Sequence, residues 1–168
     1  MPVSQYKDFF FKNIRDSNTA VFHNADLYPP HYSRVNAVTW NLTDKSVTTK
    51  DKLAPQTALS PFDQSLLKWV SDRAGGKTLR QYVVDPYRYG EQSVVWRNYE
   101  ASYDVMGLEP VSRETSTYVL QEYFVPVEHF DSFVPKLSDI LQRYKVNVLN
   151  VSIRHALPDI ESILSWSP

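Results

Sequence analysis

The chain contains no cysteine and only four glycines in 168 residues. Without thiols there is no disulfide, no thiolate nucleophile and no cysteine-ligated metal or cluster, which fits a cytoplasmic protein. So few glycines leave little material for a loop whose amides cradle a phosphate. No G-x-G-x-x-G and no Walker pattern occurs, and the pair Gly75-Gly76 follows an expected helix instead of opening one. Any nucleotide cofactor is then expected to have its phosphates bound outside this chain. Charge of one sign is missing too: 18 basic and 19 acidic side chains give a net charge of -1. That balance offers no electrostatic case for nucleic acid or an anionic membrane. No apolar run approaches the roughly 20 residues that cross a bilayer, and the start Met1-Pro2-Val3-Ser4-Gln5 lacks a basic-then-apolar leader.

The four histidines, His23, His31, His129 and His155, show no metal-pair spacing, so no metal site is expected. No serine elbow is present. Asn41-Leu42-Thr43 and Asn150-Val151-Ser152 match the glycosylation sequon, but without a leader neither is read as a modification site.

What the chain does have is aromatic surface. Aromatics make up 14%, with eleven tyrosines and four tryptophans, and rings with polar tips suit the walls of pockets. Hydrophobic residues at 42% and charged residues at 22% are those of an ordinary globular protein. With no internal repeat or low-complexity segment, a single domain over 1–168 is the simplest expectation.

Periodicity then sets the elements. Residues 4–16 read as a helix with Tyr6, Phe9, Phe10 and Ile14 near one face. Residues 19–27 read as a strand, Tyr28-Pro29-Pro30-His31 as its break, and 34–43 as an antiparallel neighbour. The polar stretch 48–58, with Pro55, reads as loop. Ser60 and Pro61 form a strong helix start, with Gly75 as its stop. A shorter helix is expected from Thr78 to Asp85, where Pro86 disfavours continuation. Residues 93–103 read as a third strand, 108–115 as a polar connection and 117–125 as a fourth strand. After Pro126, Phe130, Phe133, Val134, Leu137, Ile140, Leu141 and Tyr144 recur at helical spacing. Pro135 falls either in the first turn of that helix or at a kink. Residues 146–154 read as a fifth strand, and a short helical turn is expected from Pro158. This order predicts an α+β fold, a largely antiparallel sheet with helices packed on one face.

The last strand carries the sharpest pattern. Alternation sends Leu149, Val151 and Ile153 to one face and Asn150, Ser152 and Arg154 to the other. Arg154 suits either a surface ion pair or a guanidinium facing a pocket to hold an oxyanion or a hydroxyl-rich substrate. Glu122, set among apolar strand formers, is a natural partner for Arg154 if the two strands are neighbours, and such a pair is structural before it is catalytic. Trp96, Asn98 and Glu100 share one face of the expected third strand, a pattern that fits a ligand cleft or a half-exposed sheet edge. His23 reads as a satisfied interior or interface histidine, not a catalyst, and His155 points away from Arg154.

Val119-Leu120-Gln121-Glu122-Tyr123-Phe124-Val125-Pro126, the helix after it and Val151-Ser152-Ile153-Arg154 together resemble the substrate (cap) domain of FAD-linked oxidoreductases of the vanillyl-alcohol oxidase superfamily. The nearest branch is that of the sugar-lactone and alditol oxidases, of the D-arabinono-1,4-lactone oxidase kind. Val21-Phe22-His23-Asn24-Ala25-Asp26 and Val94-Val95-Trp96-Arg97-Asn98-Tyr99-Glu100 also look like the central part of such enzymes. The resemblance implies that the chain is an interior piece of a longer enzyme, inactive by itself, with FAD bound mainly by a domain absent from it. It further implies hydride transfer from a CH–OH group of a sugar, lactone or polyol-like substrate to the flavin. Arg154 would be the catalytic and flavin-contacting arginine, with Ser152 beside it and Asn150, Glu122, Trp96 and Asn98 meeting the substrate. The family's Glu-x-Arg pair becomes Ser152-x-Arg154 here, a departure that leaves substrate orientation open. The alternative is a complete, non-enzymatic α+β domain that binds a ligand or a protein.

Overall fold

A computed structural model describes residues 1–55, 69, 75–102, 114, 117, 119–155 and 160–161. The chain divides into two compact units, one of residues 1–42 with 122–168 and one of residues 43–121. The expected helix opened by Ser60, the connection 108–115 and the turn from Pro158 lie largely outside the described residues.

The first unit is α+β. Its N-terminal helical stretch passes through a 3-10 turn, Val3–Gln5, helix α1, Tyr6–Phe10, and a wider π turn, Phe11–Arg15. Strand β1, Ala20–Leu27, pairs antiparallel with β2, Val35–Asn41, through the turn that contains the two prolines. That turn ends on Tyr32 at φ +53, an unfavourable conformation for a bulky residue. It is held there because the Tyr32 ring lies in the core and its N–H donates to the Tyr28 carbonyl.

Strand β3, Val151–Ile153, pairs antiparallel with the other edge of β1, giving a three-stranded sheet of order β2-β1-β3. One face is apolar: Ala25 and Leu27 of β1, Val35 and Ala37 of β2, and Val151 and Ile153 of β3. Tyr6 and Phe9 cover it from the N-terminal stretch. Phe130, Phe133, Val134 and Leu141 cover it from the long helix Phe130–Arg143. This arrangement is the expected one, helices on one face of an antiparallel sheet.

In the second unit the described helices come first in chain order. They are α2, Gly76–Leu79, a π turn, Arg80–Val84, α3, Asp85–Arg88, and α4, Arg97–Ala101. The long helix of the first unit is α5, Phe130–Arg143, entered through a 3-10 turn, Val127–His129. Asp131 in its first turn and Arg143 in its last suit the macrodipole. Lys7 of α1 lies 2.6 Å from Asp131 and ties the two helices together. Pro135 sits inside α5, past the first turn, where its missing N–H leaves the Asp131 carbonyl without its helical donor.

Several expected elements differ. The helix expected to stop at Asp85 continues through Pro86 to Arg88, because the wider turn over 80–84 opens the backbone ladder ahead of the proline ring. The strand expected over 93–103 is an extended piece followed by helix α4. Thr48 and Val94 hold the extended part through their backbone and the Thr48 hydroxyl, and Trp96 then accepts the N–H groups of Tyr99 and Glu100. Arg97, Glu100 and Ala101 favour helix, and the β-forming run Val94-Val95-Trp96 precedes them. The strand expected over 117–125 is absent among its described residues, which are mostly exposed. Residues 119–125 pair with none of the three strands β2, β1 and β3. The strand expected over 146–154 shortens to three residues.

Helix α5 ends in a Schellman motif. The Val146 N–H donates to the Leu141 carbonyl at 2.9 Å and the Lys145 N–H to the Gln142 carbonyl at 3.1 Å. The motif requires a left-handed residue, and Lys145 fills it at φ +50. Lys145→Gly should therefore raise unfolding free energy by about 1 kcal/mol, read as a higher urea midpoint with an unchanged slope. A lower midpoint would contradict strain at this position.

Candidate functional site

Alternation on β1 puts Ala25 and Leu27 into the core, so Asp26 between them points to the opposite face. In register with Asp26 stand Asn36 on β2 and Ser152 on β3. The Ser152 hydroxyl donates to Asp26 Oδ1 at 3.1 Å. Asn150 Nδ2 donates to the same oxygen at 3.2 Å and to Ser152 Oγ at 2.9 Å. Asp26 is only 8% exposed, whereas Asn150 and Ser152 reach solvent. The result is a carboxylate gathered by neutral donors on the face of the sheet away from α1 and α5. Arg154 follows β3 directly and is exposed; among the described residues it makes no hydrogen bond or ion pair.

This face brings together Asn150 and Ser152 with Arg154 next in the chain, as the alternation of 149–154 predicts. It does not include Glu122. Glu122 is exposed in a segment without regular structure, and among the described residues it forms no ion pair with Arg154 or any other cation. The strand that would have set the two side by side does not form. Trp96 and Asn98 belong to the second unit, and their expected common strand face is lost because Trp96 precedes α4 and Asn98 lies inside it. There Lys52 Nζ stands 5.9 Å from the Trp96 ring centroid, a cation–π contact.

Sequence reasoning passed over Asp26, although the signal was present. Asn24-Ala25-Asp26-Leu27 alternates just as 149–154 does. What no local pattern discloses is the pairing across 126 positions that joins Asp26 to Ser152.

The opposite face of β1 holds a second polar set. His23 Nε2 lies 2.8 Å from the Tyr6 hydroxyl and His23 Nδ1 lies 2.9 Å from Thr39 Oγ1. Both ring nitrogens are used, as expected of a satisfied interior histidine. Burial lowers its pKa below the ordinary value, the nearby His155 lowers it further, and a hydrogen bond donated by the ring to the Val38 backbone carbonyl opposes them. Burial pushes the Tyr6 phenol upward. The His155 ring packs on Phe10, away from Ser152, as alternation predicts.

An open groove of about 580 Å³ runs between Tyr32, Ser33, Val134, Pro135, Ser138 and Arg143. Its polar groups are largely occupied: Ser138 donates to the His31 carbonyl, Gln142 donates to Ser138, and Arg143 pairs with Asp139 at 2.6 Å. The polar sheet face is the stronger candidate.

Among the described residues no group of three or more histidine, aspartate or glutamate side chains is placed to hold a metal ion. None of their helices is long and apolar enough to cross a membrane. No protein-family model matches the chain, and neither a curated protein nor a solved structure does.

The Asp26 cluster has a stability consequence. Ser152→Ala removes a donor from a buried carboxylate oxygen and the acceptor of Asn150 Nδ2. It should lower unfolding free energy by about 1 kcal/mol in urea denaturation. No change would mean that the cluster contributes nothing to holding β3 on β1.

Proposed function

We propose that this chain is a ligand-binding module whose polar sheet face takes a hydroxyl-rich small molecule. We further propose that it serves as the substrate half of an FAD-dependent oxidoreductase acting on a CH–OH group of a sugar, lactone or polyol. The observation that carries the reading is the Asp26–Asn150–Ser152 cluster with exposed Arg154 beside it in the chain. A carboxylate accepts hydrogen bonds from substrate hydroxyls, the Asn150 and Ser152 side chains fix its orientation, and a guanidinium meets a substrate oxygen as it gains negative charge. The oxidoreductase part rests on the sequence resemblance alone.

The described glycine turns do not suit the pyrophosphate of FAD. The Gly90 N–H is used by the Tyr87 carbonyl, and Gly75, in the left-handed conformation, precedes a helix of only four residues. The flavin in this reading belongs to a separate FAD-binding domain. A stand-alone binding module would use the same face with no flavin at all, and the absence of a cradle at these turns favours it equally.

Both halves are testable on the chain as it is. Xylitol, sorbitol and a sugar γ-lactone, titrated into the 15N-labelled protein, should give saturable amide shifts clustered at residues 24–27 and 150–154. Arg154→Ala should weaken the best of them about tenfold, or about 1.4 kcal/mol. Shifts absent from that face with all three compounds would remove the binding proposal. In equilibrium dialysis FAD should remain free; tight stoichiometric uptake would overturn its assignment to another domain.

A further inference from the structure

His23 joins three elements at one point. Its ring bonds to Tyr6 of α1 and to Thr39 of β2, and it lies against the Tyr6, Phe9 and Phe10 rings at centroid distances of 6.0, 6.4 and 6.1 Å. Phe10 also carries the His155 ring, at 4.9 Å, on its way out of β3. We propose that His23 is a pH-sensitive latch that holds the N-terminal helical stretch on the sheet and releases it when the imidazole takes up a proton.

A neutral imidazole donates from one nitrogen and accepts at the other, so one of the two hydroxyls donates to it and the other accepts from it. A protonated imidazole only donates. The hydroxyl that had been donating must then turn its hydrogen elsewhere, and for Tyr6, 4% exposed among aromatic rings, that means losing a buried partner. The charged ring is also poorly hydrated in this position, and His155 brings a second titratable imidazole to the same phenyl ring.

The groups that face His23 are Tyr6 from α1, Thr39 and the Val38 backbone from β2, and His155 after β3. Among the described residues no carboxylate bonds to the ring to stabilise its cationic form. The ion pair of Lys7 with Asp131 also ties α1 to α5.

The direction follows. His23 has its pKa lowered from 6.5 in the docked state, so the undocked state binds more protons between those two values. Docking is strongest well above pH 6.5 and weakens as pH falls, by up to about tenfold per pH unit until the docked-state pKa is reached. Release would act on residues 4–15 first, because residues 1–3 are pinned separately: Val3 N–H donates to the Ser33 carbonyl and Val35 N–H to the Met1 carbonyl.

Hydrogen exchange of the full chain from pH 7.5 to 5.5, corrected for intrinsic rates, tests the latch. Protection of residues 6–15 should fall with pH while that of helix 130–143 holds, and His23→Gln, which donates and accepts without titrating, should abolish the difference. Equal pH response of the two helices, or an unchanged difference in His23→Gln, would overturn the proposal. If that variant does not fold, the ring titration of His23 in the unaltered protein decides: a midpoint below 6.5 that coincides with loss of protection supports the latch, and a midpoint at or above 6.5 refutes it.

Discussion

Strand β1 spends its backbone hydrogen bonds on β2 along one edge and on β3 along the other, and the rest of the first unit depends on that central position. A strand paired on both sides presents two faces with fixed and opposite side chains. Ala25 and Leu27 must be covered, and the N-terminal helical stretch and α5 cover them. Asp26 must then face the other way, where only polar neighbours can accommodate a carboxylate that is nearly buried. Core and candidate site are thus the odd and even positions of one strand.

The same alternation explains which features were legible in the sequence. Residues 19–27, 34–43 and 130–144 carry long, regular patterns broken by prolines or flanked by suitable charges, and all three form near their expected limits. Residues 93–103 and 117–125 failed for different reasons. In the first, the β-forming residues Val94, Val95 and Trp96 adjoin a helix-forming run, and a single reading merged the two. In the second, Val119, Leu120, Tyr123 and Phe124 have every local feature of a strand, but strand formation requires a partner edge. Local composition does not say whether that edge is available.

The candidate site divides in the same manner. Asn150, Ser152 and Arg154 were readable because they occupy consecutive positions of one face. Their grouping with Asp26 was not, because it depends on β3 returning beside β1 after more than a hundred residues. Glu122 was assigned by a pairing that would have needed a further strand. The carboxylate of the site is supplied by β1 instead, held by an amide and a hydroxyl where a cation had been anticipated.

The brevity of β3 bears on motion. Three paired residues contribute few ladder bonds, and Asn150 lies just outside them. Such a strand end opens locally at much smaller free energy than the β1–β2 hairpin, whose register extends over 20–41. The polar face therefore combines a rigid half, the Asp26 side of β1, with a half that exchanges between attached and frayed states. A ligand bridging the two would select the attached state, so part of its binding free energy would be spent on ordering residues 150–153 and its affinity would rise with any substitution that lengthens β3.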